Sequence, residues 1–248
     1  MSDLSTLTVI KIGGSVLSDA AAYRRAAGFL EQQLALRPGG KILAVVSAER
    51  GLTDALLTAA RELAADPDQE ALDLLWSTGE LRSVALLVLA LQNIGVPAAA
   101  ANIHQTGLVS LRASRTRPGS RSDIRPLRLR SLLATADVVV APGFLARAEG
   151  DSVASLGRGG SDLSAVLLAA GLGARRCELL KDVPGYFNTD PNENPDAEHI
   201  DTLEYGDAIR MASEGCDLVQ LNALEAAREL NVRLLIRAMD QELTTTVS

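Results

Sequence analysis

The chain has 248 residues, of which 47% are hydrophobic and only 3% aromatic, so it can bury a large core built mainly from aliphatic side chains. Its net charge of −7 at pH 7 opposes nucleic-acid binding, and its longest apolar run, Val84 to Leu91, is too short to cross a bilayer. Because its two cysteines are far apart and no signal peptide is evident, we expect a cytoplasmic protein without a disulfide framework, a metal site or a membrane partner.

Strand and helix patterns alternate along most of the chain. In order, they predict strand 7–12, helix 20–36, strand 41–47, helices 53–65 and 69–94, strand 97–103, helix 127–136, strand 137–142, helix 161–171, strand 176–180, helices 204–213 and 223–230, and strand 232–237. This alternation predicts right-handed crossovers and a mainly parallel sheet with helices on both faces. A soft boundary at 143–157 divides an N-terminal lobe from a C-terminal lobe.

The first predicted strand ends in the sequence Lys11-Ile12-Gly13-Gly14-Ser15. In parallel sheets, ligands bind beyond the carboxyl ends of the strands. The backbone N–H groups of two glycines can cradle phosphate oxygens, and Lys11 adds a positive charge at a fixed point. The motif is neither a Walker A loop nor a dinucleotide fingerprint, so the same turn can also be explained as purely structural.

A second glycine-rich turn, Leu156 to Asp162, opens the helix predicted from Ser161. Its glycines and the positive end of the helix form a second anion site. Arg158 suits a bidentate contact with a carboxylate or a phosphate. Asp162 is either an ordinary carboxylate at a helix N-terminus or the group that orients Lys11. The plain alternative for the whole segment is a loop followed by a helix cap.

The third notable segment, Ser77-Thr78-Gly79-Glu80, interrupts a helical stretch that is otherwise rich in Leu and Ala. A glycine inside a helix costs about 1 kcal/mol relative to alanine. Gly79 therefore indicates close approach of a ligand, or a helix start at which Ser77 or Thr78 is the cap. In the first case Glu80 would hold a cation such as an α-ammonium group.

Together and in order, these segments resemble the catalytic domain of aspartokinases, within the wider amino-acid kinase family. The most specific matches are VVSAERGLTDALL from Val45, STGELRSVALL from Ser77, LGRGGSDLSAVLLAAGL from Leu156 and KDVPGYFNTDP from Lys181. The resemblance implies a three-layer α/β/α sandwich, with a substrate-binding lobe at about 1–145 and a nucleotide-binding lobe at 146–248. It also implies ATP and Mg²⁺ as cofactors, a role in amino-acid biosynthesis and a homodimer.

The resemblance also implies roles for individual residues. Lys11 bridges the transferring phosphoryl group, and Asp162 orients Lys11. The acceptor pocket is lined by Ser47, Thr53, Glu80, Arg158 and Ser161. Within this pocket, Glu80 binds the amino group of the substrate and Arg158 its other carboxylate. The phosphates and the nucleotide are contacted by Gly13, Gly14, Ser15, Gly159, Gly160, Lys181, Asp182, Tyr186 and Asp190.

Three positions on the nucleotide side depart from the aspartokinase pattern. Asp217 replaces a lysine, Asn192 replaces the arginine after Asp-Pro, and Lys181 stands where threonine is more common. Replacing a lysine by an aspartate beside phosphates changes the local charge by two units, which is worth on the order of a few kcal/mol. Either Lys181 compensates, or the ATP site is weak, shifted or inactive.

A carboxylate acceptor needs no general base, because it is already ionised at neutral pH, and catalysis reduces to alignment and charge neutralisation. This chemistry agrees with a site without histidine, and we interpret His104 and His199 as structural or surface residues. We therefore expect ATP-dependent phosphorylation of the side-chain carboxylate of aspartate. The alternatives are a kinase for a different acidic or phosphorylated metabolite, and a catalytically weak ligand-binding or regulatory homologue. Because the matching sequence ends near Ser248, we expect no feedback through the sensing (ACT) domains that follow it in aspartokinases.

Overall fold

The computed structural model describes residues 6–110, 124–157, 159–174, 176–189, 191 and 194–248. Two predicted site residues, Arg158 and Asp190, lie outside these described residues, as does Asn192. Within them, strands and helices follow one another in the alternating order that the sequence predicts, which confirms the mixed α/β class.

The strands range from two to six residues. In chain order they are β1 (Leu7–Ile12), β2 (Lys41–Val46), β3 (Ala98–Ala100), β4 (Val138–Pro142), β5 (Leu145–Arg147), β6 (Val153–Ser155), β7 (Arg176–Lys181), β8 (Tyr186–Phe187), β9 (His199–Ile200), β10 (Thr202–Leu203), β11 (Arg233–Ala238) and β12 (Thr244–Val247). The helices are α1 (Ala20–Ala35), α2 (Leu52–Leu63), α3 (Gln69–Asn93), α4 (Ile103–Thr106), α5 (Leu127–Leu133), α6 (Gly160–Leu172), α7 (Tyr205–Ser213) and α8 (Leu221–Leu230).

Eight strands of the described residues form one central sheet in the order β10-β12-β11-β7-β1-β2-β4-β3. The six strands from β11 to β3 in this order are all parallel, and β12 is antiparallel to β11. The two remaining pairs, β5 with β6 and β8 with β9, form small antiparallel ribbons. The expectation of a mainly parallel sheet is therefore confirmed.

Two hydrophobic cores lie on opposite faces of the sheet, because successive side chains of a strand point to opposite sides. In β1, Leu7 and Val9 pack into the core beneath α5 to α8, whereas Ile10 and Ile12 pack into the core beneath α1 and α3. β2 and β4 alternate in the same way. Strands buried on both faces read as continuous apolar runs, and the predicted three-layer α/β/α sandwich is confirmed.

Helix α3 is long and apolar enough to cross a membrane by length and composition, and it is alone in this among the described helices. The expectation from uninterrupted apolar runs missed it, because its apolar residues are interspersed with polar ones. The helix packs against α1, α2 and β4, and its buried positions include Asp73 and Glu80. These contacts are those of a helix that packs into the core of the described structure.

Candidate active site

A cleft of about 300 Å³ opens beyond the carboxyl ends of β1, β2 and β7, where the sheet topology predicts a ligand site. The residues that line it come from both halves of the chain: Lys11, Ser47, Ala48, Thr53, Glu80, Phe144, Gly159, Gly160, Ser161, Asp162, Lys181, Asp217 and Gln220. Most of the predicted phosphoryl and acceptor residues thus meet in one place.

Two lysines converge on one carboxylate at the floor of the cleft. Lys11 Nζ lies 2.8 Å from Asp162 Oδ1, and Lys181 Nζ lies 2.8 Å from Asp162 Oδ2. Lys11 is near the end of β1 and Lys181 ends the neighbouring parallel strand β7, so both side chains reach the same sheet edge. Asp162 lies in the first turn of α6, which packs across both strands.

The electrostatics of this group favour an ionised Asp162. Burial disfavours its charged form, but the charges of Lys11 and Lys181 outweigh this effect and lower the pKa of the carboxyl below its usual value. The pKa of Lys181 is also lowered, mainly by burial, although Asp162 acts in the opposite direction. The cleft floor therefore holds two ammonium groups against one carboxylate.

The start of α6 supplies a second positive element. Its N-cap, Gly159, has a left-handed φ of 69° and provides no side-chain cap. A Cβ at this position would lie 2.1 Å from Gln220 Cγ, so a larger residue could not fit between α6 and α8. Gly159, Gly160 and Ser161 all line the cleft, which directs the positive end of the helix toward any bound anion.

The glycines of the first turn have a packing role, and their predicted contact with a phosphoryl group stays a prediction. A Cβ on Gly14 would lie 2.2 Å from the carbonyl oxygen of Ala48, so Gly14 permits two loops to pack backbone against backbone. A Cβ on Gly13 would lie 3.2 Å from Lys11 Nζ, next to the ammonium group. Neither glycine, nor Ser15, is among the described residues that line the cleft.

Glu80 provides a buried carboxyl group in the wall of the cleft. Burial raises its pKa to about 8, and the backbone N–H of Ala48 and the charge of Lys11 oppose this shift only in part. Its Oε2 atom is buried and has no hydrogen-bond partner within the described part of the chain. An unpartnered buried carboxylate oxygen is costly unless a ligand satisfies it, and an ammonium group fits this requirement.

The helix that contains Glu80 does not start at Ser77 or Thr78, which was one of the two interpretations of this segment. Asp68 caps α3 at Gln69, so Ser77 and Thr78 lie inside the helix and are not its cap. Their hydroxyls donate to carbonyl oxygens three residues earlier, at 2.6 and 2.7 Å. A Cβ on Gly79 would lie 3.2 Å from the Ala48 side chain, so the lack of a side chain at Gly79 lets the β2–α2 loop pack closely against the helix.

Two further residues predicted to contact the nucleotide, Asp182 and Tyr186, do not line the cleft either. Asp182 is well exposed and its Oδ2 lies 3.2 Å from an Nη atom of Arg50. Tyr186 is 1% exposed and lies in the core beneath α5 to α8. Burial also raises the pKa of its phenol, whose hydroxyl has no hydrogen-bond partner among the described residues.

Three residues of the cleft were not predicted as site residues: Ala48, Phe144 and Gln220. Phe144 has a left-handed φ of 66°, and its ring forms a T-shaped contact with that of Trp76, with centroids 5.7 Å apart. It follows the carboxyl end of β4, so its position beside a predicted strand end was the available signal. Gln220 carried no signal, because its place in the cleft depends on how α8 packs on α6.

Residues 6–238 match the sequence model of the Amino acid kinase family. The chain belongs to this family. An aspartokinase from Mycolicibacterium smegmatis is 35% identical to this chain over 234 residues, which cover 94% of the chain and 54% of that protein. The chain spans about half the length of the curated relatives it matches.

Solved structures show the same fold as this chain. Aspartate kinase from Synechocystis superposes with a TM-score of 0.84 at 32% identity, covering 98% of the chain and 40% of that protein. Uridylate kinase from Archaeoglobus fulgidus superposes with a TM-score of 0.69 at 19% identity, covering 97% and 99%. The second likeness concerns the fold alone, so the acceptor must be argued from the site itself.

Proposed function

We propose that this protein transfers the γ-phosphoryl group of ATP to a carboxylate of a small acidic amino acid, with aspartate as the first choice. The meeting of Lys11 and Asp162 with Glu80 in one cleft carries this proposal. Lys11, held by Asp162, suits a phosphoryl group, and Glu80 suits an ammonium group. The cleft can therefore bind both the group that is transferred and an amino acid that accepts it. The aspartokinase relatives support the same assignment.

The reaction requires alignment more than proton transfer. An oxygen of the acceptor carboxylate attacks the γ-phosphorus, the bond between this phosphorus and the bridging oxygen breaks, and ADP leaves with the electron pair. No proton moves, because the acceptor is already ionised. Lys11 and the N-terminus of α6 neutralise the charge of the phosphoryl group, and Asp162 holds Lys11 in place.

Mg²⁺ would enter with the phosphates of ATP. No three His, Cys, Asp or Glu side chains within the described residues are grouped so that they could hold a metal ion. Mg²⁺ binds through few protein carboxylates and through substrate phosphates in kinase sites. The cleft fits such a complex, because its lysines and helix N-terminus attract the phosphate oxygens.

Glu80 favours an acceptor that carries an ammonium group. A phosphorylated acceptor would place a second anion near a buried carboxylate, which is unfavourable. Ser47, Thr53 and Ser161 lie in the same cleft and can bind the carboxylate that is phosphorylated. Arg158, which lies outside the described residues, remains the proposed partner of the second carboxylate.

A coupled assay of ADP formation with ATP, Mg²⁺ and a panel of amino acids tests the proposal. We expect turnover with aspartate or another acidic amino acid, and a KM for this acceptor at least tenfold higher in Glu80→Gln, because the ammonium group loses a charged partner. Folded wild-type protein that phosphorylates none of these acids would overturn the proposal. Turnover of a non-amino acid alone would favour the kinase with a different acceptor.

A second candidate function is a binding or regulatory subunit with weak catalysis. The observation that favours it is Asp217, an exposed carboxylate that lines the cleft together with Lys181. If it weakens ATP binding, Asp217→Lys should tighten the Kd for ATP by about tenfold or more. A wild-type Kd for ATP in the micromolar range contradicts this candidate. The cytoplasmic location, the homodimer and the division into two ligand lobes remain predictions.

A further inference from the structure

Asp162 divides its two carboxylate oxygens between two lysines. Oδ1 faces Lys11 Nζ and Oδ2 faces Lys181 Nζ, each at 2.8 Å. A single planar carboxylate thus sets the spacing of the two ammonium groups. Because β1 and β7 are adjacent and parallel, both amines are presented from the same edge and on the α6 side of the sheet.

These three side chains together carry a net positive charge in a place that is mostly closed to water. Two further carboxyl groups act on the lysines, but that of Asp182 is well exposed, and burial raises the pKa of Glu80 to about 8. The side chains of Lys11, Lys181 and Asp162 are 9%, 14% and 4% exposed. An uncompensated charge in such surroundings is unfavourable unless an anion covers it. All three side chains line the cleft, so the anion that balances the second lysine would bind there.

We propose that Lys181 is a second catalytic cation, which contacts the transferring phosphoryl group together with Lys11, and that Asp162 positions both. The inference rests on the proposed function, because it assigns the anion to the γ-phosphate of ATP. In the transition state the charge spreads over three oxygens of the phosphoryl group, and two fixed ammonium groups can bind different oxygens at once. Neither lysine gives up its proton.

The chain offers a matched control for Lys181. Lys41 also has its Nζ atom 2.8 Å from one carboxylate, that of Asp137, and its side chain is 25% exposed. It begins β2, at the edge of the sheet opposite the cleft. Lys41→Met therefore removes a similar ion pair without touching the proposed site.

We expect Lys181→Met to lower kcat by about 100-fold, while the KM of the acceptor changes less than about threefold. Lys41→Met should leave both constants unchanged. Binding of ATP, measured by calorimetry, should weaken at least tenfold in Lys181→Met, whereas binding of ADP should change less than about threefold. If Lys181 had only a structural role, its substitution would weaken the binding of ATP and of ADP by similar factors. Circular dichroism checks that each variant is folded, and Lys181→Gln replaces any variant that is not.

The conservative variant provides a second readout. Lys181→Arg keeps the positive charge at all accessible pH values, so we expect it to recover part of kcat and to move the alkaline limit of the pH–rate profile upward. Equal activity of Lys181→Met and Lys41→Met, or equal losses of ATP and ADP binding, would overturn the role of Lys181 while leaving the proposed function intact. If the wild type phosphorylates no acid, the proposed function fails, and the difference between ATP and ADP binding still decides whether Lys181 contacts the terminal phosphate.

Discussion

At the scale of single residues, Glu80 links the acceptor site to stability. Its pKa is raised to about 8 in the folded protein by burial, against 4.5 in the absence of such surroundings. Between these values the folded state binds more protons than the unfolded state, so the free energy of unfolding falls as pH rises. The stabilising contribution of Glu80 is fully present below its unfolded pKa of 4.5 and is lost as the pH rises through its folded pKa of about 8.

We therefore expect the wild type to lose up to about 1.4 kcal/mol of stability per pH unit between these pKa values, relative to Glu80→Gln. Urea unfolding of both proteins at pH 5.5 and 7.5 measures this difference. A bound amino acid should reduce it, because its ammonium group stabilises the ionised carboxylate. Parallel stability profiles of the two proteins would show that Glu80 stays ionised in the fold.

Gly14 is a position where only glycine fits the packing of two loops. We expect Gly14→Ala to destabilise the protein by about 1–3 kcal/mol, because the new Cβ would clash with the Ala48 backbone, which cannot move aside as a side chain can. Gly28→Ala is the control, since Gly28 lies in α1 and a Cβ there would meet nothing within 4 Å. It should stabilise by up to about 1 kcal/mol. Similar unfolding midpoints for the two variants would contradict this account.

The sequence predicted residues of the site where their type carries charge or conformational meaning. Lys11, Asp162 and Glu80 stood out because charged groups follow strand ends or interrupt apolar helices. Phe144 did not stand out, because an apolar side chain in the sequence is equally well explained by a place in the hydrophobic core. Tyr186 was placed in the site by resemblance, yet its ring is in the core. Which way such a side chain points is decided by packing and not by its type.

At the scale of elements, the long strands of the sheet centre were predicted to within one or two residues. β1, β2 and β7 are continuous apolar runs, which buried parallel strands require. The ribbons β5–β6 and β8–β9 were missed, because two or three residues cannot show a periodic pattern. The strand predicted at 97–103 stops at Ala100, since Asn102 caps the short helix α4 with Gln105.

Thr245 connects β12 to the β8–β9 ribbon through two hydrogen bonds. Its buried hydroxyl accepts from the backbone N–H of Tyr186 at 2.8 Å and donates to the carbonyl oxygen of Ile200 at 2.6 Å. Thr245→Val would remove both hydrogen bonds, and we expect a loss of about 1–3 kcal/mol. Thr246→Val, on the opposite face of the same strand and only half-buried, should cost less than about 0.5 kcal/mol. Chemical denaturation measures both, and equal losses would disprove the role of the hydroxyl.

At the scale of the whole molecule, the two halves of the chain share one sheet and one core. β1 pairs with β2 on one side and with β7, from the second half, on the other. The core beneath α5 to α8 likewise contains Leu7 and Val9 together with Leu234 and Ile236. The sequence boundary at 143–157 therefore does not separate two independent cores.

We expect a single cooperative unfolding transition from this shared sheet. Fluorescence of Trp76, the one tryptophan of the chain, reports on the first half, and far-ultraviolet circular dichroism reports on all helices and strands. The two signals should give the same midpoint and the same slope in urea. Separate midpoints would mean that the halves unfold independently in spite of the β1–β7 pairing.

The pairing of Lys11 and Lys181 on Asp162 also has a consequence for synthesis in the cell. Lys11 is made 151 residues before Asp162 and 170 residues before Lys181, by subtraction of their positions. Contacts between such distant segments form late, because a long loop must close first. A nascent chain can therefore bury β1 against β2 early, but its first lysine acquires a counter-ion only after more than half of the polypeptide has left the ribosome.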